Sequence, residues 1–91
     1  MLQDLSKAFE CFQKVIAIEK NNFNCLVNIG NCYISWNQPD EAIVYYIKAA
    51  IANMKSIIPL KSLVGIYKRK QHLDSALIFV NQCLFLEPKH V

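Results

Sequence analysis

Glycine is scarce in this chain: two in 91 residues, alongside three prolines. So small a supply excludes a collagen-like or low-complexity chain and leaves no glycine-rich loop to cradle a phosphate. Long apolar runs are missing too. None approaches the roughly 18–20 residues needed to span a bilayer, so no membrane insertion is expected. The start, MLQDLSKAFE, has no basic region followed by an unbroken apolar core and does not read as a signal peptide. The four cysteines, Cys11, Cys25, Cys32 and Cys83, form no C-x-x-C pair. A zinc site using Cys25 and Cys32 with His72 or His90 would need four converging ligands, and the spacing supplies none. Neither histidine has a Ser, Cys or Asp at motif spacing. His72 reads as a turn residue and His90 as a tail residue, while Asp40, Glu41 and Asp74 read as helix-start carboxylates. These absences argue against catalysis: no catalytic residue, metal or cofactor is expected. The thiols read as reduced, buried small hydrophobes. The expected compartment is the cytoplasm, with nuclear or ciliary assemblies compatible.

What the chain does have is apolar content, 54% of its residues. At this length it makes one small domain near the lower limit of a self-sufficient core, with more apolar surface than about five short helices can hide. It also has a period. Ala8, Ala42 and Ala76 are each 34 residues apart, as are Phe12, Tyr46 and Val80, and Val15, Ala49 and Cys83. At the same interval Leu26 pairs with Leu60, Ile29 with Leu63 and Tyr33 with Tyr67. Self-similarity at a fixed period of about 20–50 residues marks a stacked array, in which each unit contacts mainly its neighbours. Ala8, Ala42 and Ala76 should then share like surroundings.

Phe23 to Ser56 reads as one complete helix–turn–helix unit. Leu26, Ile29, Gly30 and Tyr33 fall on one helical face; Ala42, Tyr46 and Ala49 fall on a second helix. Asn37-Gln38-Pro39-Asp40 is the break, with proline tolerated in a first turn. Gly30 inside a helix costs roughly 1 kcal/mol relative to alanine. Close helix approach explains it, with only methyls at Ala42 and Ala49 opposite; larger residues would overpack at about 1–3 kcal/mol.

These residues resemble the tetratricopeptide repeat family, whose pattern is a large apolar residue, Leu-Gly, Tyr, Ala, an aromatic, a small residue and Pro at fixed offsets. The middle unit supplies Leu26, Ile29-Gly30, Tyr33, Ala42, Tyr46 and Ala49, with Met54 in place of Pro. The third supplies Leu60, Leu63, Tyr67, Ala76 and Pro88; it has Val64 for Gly, and Val80 and Cys83 match weakly. The first is a second half only: Ala8 and Phe12 fit, Val15 and Lys20 do not. The resemblance implies an all-α, right-handed α-solenoid of stacked antiparallel helix pairs. Its units would be residues 1–22 (a second half), 23–56 and 57–91.

In chain order, Asp4 is a candidate N-cap for a helix from about Leu5 to Glu19, whose apolar face holds Ala8, Phe12 and Val15 with Phe9 and Ile16 beside it. Asn21-Asn22 makes a turn. Helices should follow over about Phe23–Trp36 and Pro39–Asn53. Ser56 should cap a further helix with Pro59 in its first turn and Lys68-Arg69-Lys70 at its negative end. Asp74 opens the last helix, which ends at Glu87-Pro88. Leu77, Phe79, Leu84 and Phe85 are too many to bury on one side. Both ends look unfinished, so self-association through the uncovered terminal helices is expected.

The resemblance also implies a protein-binding groove lined by the first helix of each unit. It would present Asn24, Val27, Asn28 and Asn31, then Ile58, Lys61, Ser62 and Gly65. Asparagine carries both donor and acceptor and can pair with a peptide backbone of any sequence. Some members clamp a terminal carboxylate with lysine and arginine; here Val27 and Ser62 stand at two of those positions, which argues against that clamp. The reading is a non-enzymatic scaffold that binds a peptide or helix as part of a larger assembly. Two alternatives stand beside it. One is the regulatory segment of a larger enzyme. The other is a helical-repeat RNA binder, raised by Lys68-Arg69-Lys70 and the net charge of +3 but disfavoured by a period of 34 where the RNA-reading repeat uses 35.

Overall fold

The computed structural model describes residues 2–87. The expected repeat proline, Pro88, and the tail residue His90 lie outside the described residues. Within them the chain forms five helices and no strand: α1 (Leu2–Ile18), α2 (Phe23–Ser35), α3 (Pro39–Ala52), α4 (Ile58–Arg69) and α5 (Leu73–Leu86). Helix periodicity of the apolar residues and the caps between them account for this division. Asn22 is the N-cap of α2, its side chain accepting from the Cys25 N–H at 3.1 Å. Pro39 opens α3, with Asp40 and Glu41 in its first turn. Ser56 Oγ accepts from the Ile58 N–H at 3.2 Å, just ahead of α4. Three expected starts differ. The N-cap of α4 is Ile57, which has no side-chain cap bond, and Ser56 stands one residue ahead of it. α1 begins at Leu2, so Asp4 lies inside its first turn and is not its cap. α5 begins at Leu73, one residue before Asp74.

The turns repeat bond for bond. At the end of α2, Asn37 N–H donates to the Ile34 carbonyl and Gln38 N–H to that of Tyr33. At the end of α4, Gln71 N–H donates to Lys68 and His72 N–H to Tyr67. Both are Schellman motifs, which need a left-handed residue after the helix. Asn37 (φ 58°) and Gln71 (φ 61°) supply it. The other helix ends recur likewise: Glu19 N–H to the Val15 carbonyl, Asn53 to Ala49 and Glu87 to Cys83. An ion pair between Lys70 and Asp40 ties the end of α4 to the start of α3.

Each helix packs on its chain neighbours, α1 on α2, α2 on α3, α3 on α4 and α4 on α5. The core cluster is Ala42, Tyr46, Leu63 and Ile66, with Val27, Tyr33, Ile34, Ile43, Tyr67 and Phe79 packed against it. Leu26 and Leu60 are both buried, as are Ile29 and Leu63, and Cys32 and Ile66. Tyr33 stacks on Tyr45, and its counterpart Tyr67 stacks on Phe79, both at 5.7 Å between centroids.

The equivalence weakens at the first unit. Ala42 is 0% exposed and Ala76 5%, whereas Ala8 is only half-buried, because α1 has α2 as its neighbour and no helix before it in this sequence. The cysteine expectation is corrected in part. Cys32 is buried, Cys25 and Cys83 are half-buried, and Cys11 is exposed on α1. Gly30 is explained differently as well. A Cβ there would come within 2.7 Å of Tyr46 Cε1, so the glycine makes room for the tyrosine ring. Leu77, Leu84 and Phe85 are exposed, but Phe79 is half-buried against Tyr67.

Candidate functional site

α2 carries no charged residue at all, and α4 carries only cations. Asn24, Asn28 and Asn31 follow at four and three residues and so share a face of α2. Lys61, Gly65 and Arg69 follow at four and four along α4. Between the two helices the ring of Tyr46 rises from α3. Its hydroxyl donates to Asn31 Oδ1, a bond across 15 residues that no local pattern specifies. Burial pushes the Tyr46 phenol above the ordinary tyrosine range; a hydrogen bond with Ser62 pulls the other way, and Cys32 adds to the rise.

Here the structure opens a pocket of about 270 Å³, lined by Ile34, Tyr46, Lys61, Ser62, Gly65, Ile66 and Arg69. Ser62 Oγ donates to the Ile58 carbonyl at 3.3 Å. Of the groove residues expected from sequence, Lys61, Ser62 and Gly65 meet in this pocket, and Asn31 reaches its edge through Tyr46. Asn24 is exposed and Asn28 half-buried, and neither lines the pocket. Val27 packs on the core cluster instead of facing the groove, and Ile58 is exposed at the start of α4. Ile34, Ile66 and Arg69 were missed, as was the hydroxyl of Tyr46, which sequence reading assigns to structure alone. The four-residue step from Gly65 to Arg69 was the signal that could have found the arginine.

A second, apolar pocket of about 650 Å³ lies where α3 and α5 diverge over α4, with Ile47, Ile51, Met54, Leu60, Phe79 and Phe85 in its wall. Phe85 is 85% exposed at its edge. Among the described residues no group of His, Cys, Asp and Glu could hold a metal ion, and no helix is long and apolar enough to cross a membrane.

Five helices joined by repeated turns, with contacts passing from each helix to the next, define an all-α helical-repeat fold. The comparisons carry this further. Residues 11–44 match the tetratricopeptide repeat family. The matched window is one period long and runs from α1 through α2 into α3, across the boundary expected at residue 22. The chain is 29% identical over 73 residues to human Superkiller complex protein 3, an alignment covering 80% of this chain and 5% of that protein. It thus spans about a twentieth of that relative's length. Repeats of this family serve in general as protein-binding, non-enzymatic modules.

Proposed function

We propose that this chain is a non-enzymatic scaffold segment that binds a peptide or helix of a protein partner across α2 and α4, within a larger assembly. Helix C-termini that recur every 34 residues, at 18, 52 and 86 and at 35 and 69, support dividing it into a second half-unit (1–22) and two full units (23–56 and 57–91). The observation that carries the binding reading is the pocket between Tyr46 and the Lys61–Gly65–Arg69 stripe, on the face where α2 and α4 bring no carboxylate. The name of the relative describes a member of a complex, which fits the assembly part of the reading. Four free thiols fit a reducing compartment such as the cytoplasm.

The exposed apolar residues of α5, with those beside the larger pocket, form a second contact surface for another helix or a second copy of the chain. Contiguous apolar patches of this kind mark interaction sites. An RNA-binding role has less support, because Lys70 of the basic run is already paired with Asp40. The test of the groove is the double variant Asn28→Ala with Lys61→Ala, assayed against partners captured from cells with the longest form as bait. It is expected to weaken binding with the melting temperature unchanged; equal binding by the folded double variant removes the assignment.

A further inference from the structure

Glycine inside a helix weakens it relative to alanine, so each helical glycine calls for a reason. Gly30 has one in the Tyr46 ring. Gly65 has none inside the molecule, since a Cβ there would meet nothing within 4 Å. The space above it is open, and it lies in the 270 Å³ pocket between Lys61 and Arg69, one turn away on either side of the same stripe. That volume is below the roughly 300–1,000 Å³ of small-molecule sites and leaves room for an inserted side chain together with part of the segment that carries it. Charge is sorted across the fold. None of the seven Asp and Glu residues lies on α2 or α4, while α4 carries Lys61, Lys68 and Arg69.

We infer that this pocket receives the carboxylate of an Asp or Glu side chain on an extended partner segment whose backbone passes over Gly65, with Arg69 as the counter-charge. This rests on the protein-binding reading above and names the partner's chemistry. The absence of a side chain at Gly65 lets a second backbone approach α4 closely. The guanidinium of Arg69 presents a planar fork that matches a carboxylate in two parallel hydrogen bonds. Ile34 and Ile66 in the lining give the methylenes of the inserted side chain an apolar wall. A nucleic-acid strand fits less well. Single-stranded recognition needs exposed aromatic faces for bases to stack on, and the only ring in this pocket, Tyr46, is 2% exposed.

The test selects a displayed random dodecapeptide library on the full chain, then measures resynthesised peptides by fluorescence anisotropy. Selected peptides are expected to share an Asp or Glu at one position. Arg69→Gln and Gly65→Leu should each weaken them by about tenfold, as loss of a charge partner or of the space does. Changing the shared acid to its amide should give the same loss, with little added by Arg69→Gln. Gly65→Ala is the folding control; it should melt no lower than the parent and still weaken binding. Peptides without an acidic preference, or bound equally by Arg69→Gln and Gly65→Leu, overturn the inference and leave the protein-binding reading standing. Failure to select any peptide removes both. A single-stranded oligonucleotide run in parallel, if bound and weakened by Arg69→Gln while no acidic peptide competes, assigns the cations to phosphate and overturns the inference.

Discussion

The two glycines make opposite demands. At Gly30 an added methyl meets Tyr46 Cε1 at 2.7 Å and Cδ1 at 2.9 Å, and the ring is held in the core cluster with its hydroxyl on Asn31. Overpacking of about 1–3 kcal/mol outweighs the roughly 1 kcal/mol of helix propensity gained. Gly30→Ala should therefore lower stability in urea by about 1 kcal/mol. Gly65→Ala should raise it by about 0.5–1 kcal/mol, because only propensity changes. Gln71 holds a left-handed conformation at φ 61°, which strains an ordinary side chain by about 1–2 kcal/mol. Gln71→Gly should stabilise the chain by about 0.5–1 kcal/mol once the added freedom of the unfolded state is counted. Asn37→Gly should gain less, since asparagine tolerates that region. The same unfolding assay checks all four. The thiols differ by position as well: alkylation followed by mass spectrometry should label exposed Cys11 first and buried Cys32 last.

Among the helices, α1 is held on one side only. Phe9 reaches across to α2 and meets Tyr33 and Trp36 edge-on, with centroids 5.4 and 5.1 Å away. Its half-buried neighbours Phe12, Val15 and Ile16 complete the contact. Elements with few buried contacts open at the low end of the stability range, so α1 amides should exchange with deuterium ahead of those in α2 and α3. Phe9→Ala should widen that gap and cost about 2 kcal/mol, below the roughly 3–5 kcal/mol of a fully buried phenylalanine. Equal protection of α1 and α3 would contradict this. At the other end, α4 and α5 lock through Tyr67, which stacks on both Phe79 and His72. His72 to Tyr67 is the side-chain contact that accompanies the Schellman turn.

Across the molecule, burial acts on the titrating groups in one direction. Tyr33, Tyr46, Cys25, Cys32 and Cys83 are all raised, mainly through desolvation, although a nearby Lys61 partly offsets the rise at Cys83. The folded state therefore holds these protons more tightly than the unfolded chain. Their contribution is complete below the ordinary values of 9.0 for the thiols and 10.0 for the phenols, and is lost as pH rises through the folded values. Melting temperature should be level near neutral pH and fall from about pH 9 upward. A flat profile through that range would refute the sign. The exposed apolar residues of α5 belong to this scale too. Light scattering should show self-association that rises with concentration, and Leu77→Glu with Phe85→Glu should return the chain to a monomer; a parent that stays monomeric at high concentration counts against that surface.

The chain's residues, read alone, determined the period, the helical character of its segments and the approximate helix limits. Each of these rests on local spacing that is written more than once: Leu26 with Leu60, Ile29 with Leu63, Ala42 with Ala76. Burial needed the tertiary structure, because it depends on how many neighbours a helix has. Ala8 stands at the same repeat position as Ala42 yet is covered on one side only, and Cys11 lies open for the same reason. The site needed it still more. Tyr46 reads as core in any one-dimensional pattern, and only the fold carries its hydroxyl to Asn31 and its ring onto Gly30. Val27 turns into the core, and Arg69 joins Lys61 at the pocket, because the pairing of α2 with α3 and of α3 with α4 sets which face of each helix remains uncovered.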